Sequence, residues 1–315
     1  MTQIGCIILK LINKLWRIYY SMKNLKFKRV FCMLLSMVSI SFGLNGCTKA
    51  SSDNLKDSDI INVNEVSDIE NAPFEVTYMD AGKADCILIS IGDKSIMIDT
   101  GLNSNKEEVV SRLKDKGIDT IDYLILTHMD KDHIGGADAI IDEFKVENVI
   151  QADYSKDSKQ YKQYINAIEE KNITPVLLHD TINLNINNAV INIYPALKNT
   201  YSESNNYSII VDITYGEYSF LFAGDAEEER LSEFMSMNNK NYTVVKIPHH
   251  GRINSLSEEF IKSIKPSYAI ITCSEEEQPD DEMITLLDKY KVKTFLTKDG
   301  EIVVKTDGKN ISLSQ

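Results

Sequence analysis

Four of the five histidines in this chain fall in two short clusters, and imidazoles gathered in that way point to metal-ion chemistry. The first cluster is Thr127-His128-Met129-Asp130-Lys131-Asp132-His133-Ile134-Gly135-Gly136, directly after the apolar run YLIL. In an extended loop, residues two apart project to the same side and adjacent residues diverge. His128 with Asp130, and Asp132 with His133, could therefore supply two neighbouring metal positions. Imidazole and carboxylate are donors for zinc, manganese or iron, and Gly135-Gly136 would let the backbone pack closely behind them. A charged, solvated turn would not need histidine at both ends. The second cluster is Lys246-Ile247-Pro248-His249-His250-Gly251-Arg252, again at the end of a strand-like run. Gly224-Asp225, closing the run YSFLFAGD, is a third candidate. Alone it reads equally well as an ordinary turn, and it gains weight from lying between the two histidine clusters. Acidic and imidazole side chains at strand ends, drawn from distant parts of the chain, are how α/β folds assemble a site in the crevice beyond a sheet edge.

The elements needed to position those loops can be read around them. FEVTYM (74–79), CILISI (86–91) and KSIMIDT (94–100) read as successive strands, with turns at Gly82 and Gly92-Asp93. NKEEVVSRLKDKG (105–117) reads as a helix, apolar at 109, 110 and 113 and stopped by Gly117. IDYLILT (121–127) is apolar nearly throughout, as expected of a strand buried on both faces, and a helix should follow the Gly135-Gly136 pair. Further strands are expected in ENVIQA, AVINIYP, YSIIVDITY, YSFLFAG, TVVKIP and SYAIITC, and further helices in QYKQYINAIEEK, EEERLSEFMSMN, LSEEFIKSI and DEMITLLDKY. Strands interleaved with helices from 73 to 315 predict a layered α/β (α+β) domain with a substantial core. Periodicity does not choose among such architectures.

With 43% hydrophobic and 26% charged residues in a chain of 315, a polytopic membrane protein, a collagen-like repeat and a wholly disordered chain are excluded. Residues 1–47 hold seven basic and no acidic side chains, leaving 27 basic against 47 acidic in the remainder, a balance of −20. So negative a body repels a nucleic-acid backbone unless a local patch or bound cations reverse the field, which weighs against a dedicated DNA binder. Lys23, Lys26, Lys28 and Arg29 precede an apolar run from Val30 to Leu44, the layout of a secretory signal. At about 15 residues that run is short for a permanent span of a roughly 30 Å hydrocarbon core. Leu44-Asn45-Gly46-Cys47 follows, and this tetrapeptide resembles the bacterial lipobox, in which the cysteine becomes lipid-modified and, after cleavage, the new N-terminus. The chain is thus expected to divide into an N-terminal extension and lipoprotein signal (1–47), a flexible polar tether (48–72) and a folded domain (73–315). An uncleaved anchor is the alternative. Met22 fits as the start codon, since the segment before it is long for such a signal; a basic amphipathic helix on the membrane surface is the other reading of residues 1–21. The tether's roughly 24 residues would span about 25–30 Å, enough to hold a domain clear of lipid headgroups. Cys86 and Cys273 sit in apolar strand-like runs and read as buried hydrophobes rather than a disulfide.

At MDAGKADCILI (79–89), IDTG (98–101), THMDKDHIGG (127–136), SNNYSIIV (204–211), FAGD (222–225) and KIPHHG (246–251), the sequence resembles the metallo-β-lactamase superfamily. Within it, the resemblance is to the extracellular or C-terminal domain of ComEC-type competence proteins and their stand-alone relatives. It runs from about Phe74 to the C-terminus and implies a four-layered αββα sandwich with a metal site along one edge. It also implies that His128 and Asp130 address a first metal, that Asp132, His133 and His250 address a second, and that Asp225 bridges them. Asp99 would brace the ligand loop. The His249-His250 doublet does not itself separate the two rings; His250 is read as the ligand and His249 as a neighbouring or substrate contact. Two departures matter. Asp130 stands where the common pattern has a second histidine, and SNNYSIIV offers Asn205 and Asn206 where a further histidine is usual. The first position is therefore expected to hold its ion weakly, or to prefer manganese or magnesium, while zinc suits the second. His179, in VLLHDT, reads as a surface or packing residue.

Hydrolysis with water activated by the bound ions is the reaction class that follows. Asp132 would orient that water or accept its proton, and Asn206 and His249 would lie beside the substrate. Arg252 would clamp a phosphate oxygen, an idle surface arginine being an equal alternative. The expected protein is a phosphodiesterase or nuclease-like hydrolase, with nucleic acid among its candidate substrates, held outside the cytoplasmic membrane by a lipid anchor. The Asp130 and Asn206 departures lie in the site and argue against a β-lactam substrate. The competing class is a lipid-anchored metal-binding module that has lost catalysis.

Overall fold

The computed structural model describes Ile69 and residues 72–315; the expected signal, Cys47 and nearly all of the tether lie outside the described residues. The apolar runs CILISI and KSIMIDT form β2 (Cys86–Ile91) and β3 (Lys94–Thr100), an antiparallel pair joined through Gly92, with β1 (Phe74–Tyr78) antiparallel to β2. From β3 the sheet grows in parallel through β5 (Tyr123–Leu126), β7 (Val149–Ala152) and β8 (Val176–Leu178). The connections carry α1 (Lys106–Asp115), α2 (Ala137–Glu143) and α3 (Lys159–Glu170). On the other side, β16 (Ile302–Thr306) pairs with β1 and β17 (Ile311–Ser314) pairs with β16, completing eight strands. A small ladder of β4 (Thr120–Ile121) and β6 (Lys145–Val146) lies apart from it.

The second sheet has seven strands in the order β15-β14-β13-β12-β11-β10-β9. These are β9 (Ile182–Ile186), β10 (Ala189–Tyr194), β11 (Ile210–Tyr215), β12 (Tyr218–Phe222), β13 (Val244–Lys246), β14 (Tyr268–Ile271) and β15 (Lys293–Leu296). The last four run parallel to one another, and their connections carry α4 (Glu228–Met237), α5 (Ser257–Ile264) and α6 (Asp281–Lys289).

Side-chain alternation along the central strands explains the layering. Val211, Ile213, Phe220, Phe222, Val244 and Ile270 pack into the core shared by the two sheets. Their neighbours Ile210, Leu221, Val245, Ala269 and Ile271 point the other way, into a second core with Phe234, Phe260, Ile264 and Leu287 of α4–α6. Strands that bury both faces need apolar residues at successive positions, as FLF of β12 and AII of β14 show, whereas β11 places Asp212 and Thr214 on its outer face. On the far side of the eight-stranded sheet, Leu113, Ile140, Ile141 and Tyr164 of α1–α3 close the fourth layer. The fold is therefore the αββα sandwich that the motifs implied.

Several elements differ from the sequence reading. Tyr207 belongs to a 3-10 turn (Ser204–Tyr207), and the strand begins only at Ile210. The strands β8, β9, β15, β16 and β17 were not read from the sequence. They are short and partly solvent-facing, so IVVKT alternates buried and half-buried positions and INLNI is half-buried or exposed throughout. Cys86 and Cys273 are both buried and free, with the Cys86 thiol on the Met79 sulfur at 3.6 Å. Among the described residues no helix is long and apolar enough to cross a membrane.

Candidate metal centre

The carboxyl ends of β3, β5, β12, β13 and β14 meet at one border of the sandwich, where bonds run from one sheet to the other. Ile209 N donates to Thr127 O (2.9 Å), and Thr272 Oγ1 donates to Asp85 Oδ1 (2.7 Å). The loop after β5 returns beneath itself at Gly135-Gly136. A Cβ on Gly135 would stand 2.4 Å from both Asn103 N and Lys131 O, so only glycine lets this loop turn back against the 100–103 segment. That turn leaves Thr100 N bonded to His133 O at 2.7 Å and the His133 ring fully buried.

Four side chains from three loops converge here: Asp132, His133, Asp225 and His250 offer ligand atoms that all lie within 4.8 Å of one another. Asp225 Oδ2 is 3.2 Å from His133 Nε2 and 3.3 Å from His250 Nε2, while Asp132 Oδ2 is 3.6 Å from His250 Nε2. The opposite ring nitrogens fix how the imidazoles face. His133 Nδ1 lies 2.7 Å from Asp99 Oδ2, and Asp99 is itself held by Thr127 N (2.8 Å) and Thr127 Oγ1 (2.6 Å). His250 Nδ1 lies 2.9 Å from both the carbonyl oxygen and Oγ1 of Thr272. A carbonyl can only accept, so the proton of His250 is assigned to Nδ1, and the carboxylate partner assigns it likewise in His133. The Nε2 lone pairs are thereby aimed into the pocket. Nε2 of His128, His133 and His250 are all buried without a hydrogen-bond partner.

Lone pairs facing carboxylate oxygens at 3.2–3.6 Å require a positive charge between them. The local electrostatics make the same demand. Burial opposes protonation of His133, yet Asp225 and Asp99 raise its pKa well above the ordinary value, and His250 is raised in the same way, chiefly by Asp225. Two imidazoles and two carboxylates are the donor types for zinc or another divalent transition ion. These four residues therefore fit a metal ion, and each ring is oriented by a partner behind it.

Backbone conformation confirms how tightly the cluster is held. His249, His250 and Gly251 take three successive left-handed conformations (φ 48, 53 and 79°), and Asp99 has φ 57°. Such strain in non-glycine residues persists only where surrounding contacts over-determine it, and it gathers at functional sites. Behind the cluster lies a group that the motif reading left without a role. Lys246 is fully buried, 2.5 Å from Asp85 Oδ2, 3.0 Å from Gly224 O and 3.4 Å from Asp225 Oδ1. Burial works against both charges, but Lys246 holds Asp85 below the carboxylate range, and Asp85 and Asp225 hold Lys246 above its ordinary value. Both stand in the motif segments, Asp85 in MDAGKADC and Lys246 in KIPHHG, where their residue types alone give no sign of a pair.

The remaining candidates are placed elsewhere. His128 lies beside the cluster, its ring centroid 4.0 Å from that of His133, and its Nε2 is 3.9 Å from Asp130 Oδ1. Asp130 is bonded by Lys156 and by Ser204 Oγ (3.2 Å). Asn206 accepts the Arg230 N–H with Oδ1 (3.1 Å) and so anchors the first turn of α4. His249 is half-buried and faces Glu227 Oε1 (3.2 Å) and Asn205 Nδ2 (3.4 Å), while His250 joins the cluster. The Arg252 guanidinium pairs with Asp280 (2.7 Å) and with none of the cluster's carboxylates. His179 is exposed beside Asp153 on the rim of a 260 Å³ cavity.

The sequence pattern of the Metallo-beta-lactamase superfamily matches residues 79–274. "ComE operon protein 3" of Bacillus subtilis is 26% identical over 71% of this chain and 32% of its own length. "Recombination protein 2" of Haemophilus influenzae is 28% identical over 63% of this chain and 24% of its own length. The chain thus spans a third or less of these relatives. Among solved structures, the metallo-beta-lactamase fold protein YhfI from Bacillus subtilis superposes with a TM-score of 0.50 at 14% identity, covering 73% of this chain and 99% of that one.

Proposed function

Because the chain belongs to the metallo-beta-lactamase superfamily, whose members include metal-dependent hydrolases, we propose that it is a zinc-dependent phosphodiesterase acting on nucleic acid and tethered outside the cytoplasmic membrane. The observation that carries the metal assignment is the set of buried Nε2 atoms without partners, facing Asp132 and Asp225. In this reading Asp132, His133, Asp225 and His250 hold the ion. Once bound, zinc supplies Lewis acidity and lowers the pKa of a coordinated water. The chain's own groups do the rest. Asp99 and Thr272 hold the two imidazoles by Nδ1, so neither ring can rotate its donor out of the pocket. Asp132, the least buried of the four, is placed to take a proton from water at the mouth.

Two observations favour a phosphodiester. Lys83 Nζ stands 3.6 Å from Asp132 Oδ2, and Lys156 sits on Asp130, so ammonium groups border the pocket in a chain of net charge −13. Each of these ammonium groups is paired with a carboxylate, so the bound metal ion would supply the net positive charge that an anionic phosphodiester meets. One relative bears the name "Recombination protein 2", and recombination is a process that acts on DNA. The full chain should cleave single-stranded DNA or a chromogenic phosphodiester only when loaded with metal, and chelator should remove that turnover. Zinc-loaded protein that binds DNA but leaves every ester intact would replace the hydrolase with a metal-stabilised binding module.

The apolar run at 30–44 and the Leu44-Asn45-Gly46-Cys47 tetrapeptide support the membrane-anchor part of this reading. Cys47 should incorporate a fatty-acid analogue in cells and Cys47→Ala should release the protein from membranes; an unlabelled, membrane-bound wild-type chain would point to an uncleaved anchor.

A further inference from the structure

The residues at the first metal position differ in kind from those at the second. Both Asp130 oxygens already have partners: Oδ1 is held by the Lys156 ammonium and Oδ2 by Ser204 Oγ at 3.2 Å, with Lys156 Nζ also 3.3 Å from that hydroxyl. Asn206, at the position of the absent histidine, spends its carbonyl oxygen on Arg230 N, and Asn205 Nδ2 donates to Glu227 Oε1 at 2.9 Å. Only His128 Nε2 remains free, 3.9 Å from the same Asp130 oxygen that Lys156 holds. A divalent ion placed there would have one neutral donor and a share of Asp225, whose Oδ2 already faces His133 and His250, and would meet an ammonium already seated on its own carboxylate. Two positive charges on one carboxylate oxygen repel strongly in a partly buried setting.

The fold puts Lys156 there by construction. β7 pairs in parallel with β5, so the loop leaving β7 runs beside the loop that carries Asp130. Tyr154, in that loop, accepts Met129 N with its hydroxyl at 2.7 Å and stacks on Tyr207 at 4.1 Å. Ser158 ends the loop by capping α3 through Tyr161 N at 3.1 Å. Lys156 lies between these two fixed points, and its side chain is 34% exposed, so the ammonium remains open to solvent on one side.

We infer that the Lys156 ammonium, seated on Asp130 and Ser204, occupies the place of the first cation, so that the chain holds one metal ion, at Asp132, His133, Asp225 and His250. The inference rests on the metal reading of that pocket but not on which ester is cleaved. It explains the joint presence of Asp130, Asn206 and Lys156: once a lysine supplies the charge, the two further imidazoles of a second ion have no use.

Zinc binding to the full chain, followed by calorimetry and by elemental analysis after gel filtration, separates the possibilities. Wild type should bind one equivalent. Lys156→Met frees Asp130 to work with His128 and should raise the stoichiometry to two, and the double substitution Lys156→Met/Asp130→Ala should return it to one. Lys156→Arg, which keeps the cation, should remain at one. Two equivalents of similar affinity in the wild type would overturn the inference while leaving the metal centre intact. A Lys156→Met chain that melts as the wild type does and stays at one equivalent would also overturn it. If Lys156→Met fails to fold, Lys156→Gln, which also removes the cation and keeps a polar end for Ser204, replaces it with the same expected rise to two. No zinc in any variant would overturn the metal centre, and this inference with it.

Discussion

His250→Ala lowers zinc affinity at least ~100-fold, more than the loss typical of a partner behind a ligand, since it removes a ligand itself. Metal-dependent turnover should fall by about 10³-fold, which corresponds to roughly 4 kcal/mol of lost transition-state stabilisation. The expectation follows from geometry. His250 Nε2 lies 3.3 Å from Asp225 and 3.6 Å from Asp132, and its Nδ1 is fixed on Thr272. Removing the ring leaves two carboxylates and a single imidazole, one donor short of the tetrahedral set. His249→Ala, one residue away, should leave zinc content unchanged, because that ring faces Glu227 and Asn205 and takes no place in the cluster. Equal zinc loss in both variants, measured by elemental analysis of protein that retains its wild-type melting profile, would show that the doublet had been assigned wrongly.

Lys246→Met should be the most destabilising single change at the site, costing about 3–5 kcal/mol. Lys246 is fully buried between Asp85 and Asp225, and the three charges were desolvated together. Methionine fills a similar volume but leaves Asp85 with only the Thr272 hydroxyl at 2.7 Å as a hydrogen-bond partner for its carboxylate. Breaking a buried pair from one side leaves an uncompensated charge, whereas replacing both sides is often nearly neutral. Melting temperature should therefore drop by roughly 10 °C in Lys246→Met. Much of that loss should return in Lys246→Met/Asp85→Asn, a coupling that a double-mutant cycle reads directly. Additive losses would mean that Lys246 and Asp85 do not act as a pair.

Much of the site was legible because the groups that bind metals announce themselves by type. Histidines at 128, 133, 249 and 250 and carboxylates at 130, 132 and 225 are scarce combinations at strand ends, and the structure draws Asp132, His133, Asp225 and His250 together. What balances them was harder to see. Lys246 and Asp85 lie in motifs but are ordinary residue types, and their pairing depends on the end of β13 in one sheet meeting the loop that enters β2 of the other. Lys156 lies in a stretch without any motif, and only the parallel register of β5 with β7 carries it to Asp130. The roles given to Asn206 and Arg252 rested on chain position alone; their side chains are taken by Arg230 N and by Asp280. The same distinction governs the fold. Strands buried on both faces were readable as apolar runs, while the half-exposed β9, β16 and β17 carried too little signal.

Anomalous diffraction at the zinc edge from crystals of the zinc-loaded protein tests the metal centre most directly. A single peak is predicted at about 2.0–2.2 Å from Nε2 of His133 and His250 and from carboxylate oxygens of Asp132 and Asp225. A peak elsewhere, or none among these four side chains in protein shown to carry zinc, would contradict it.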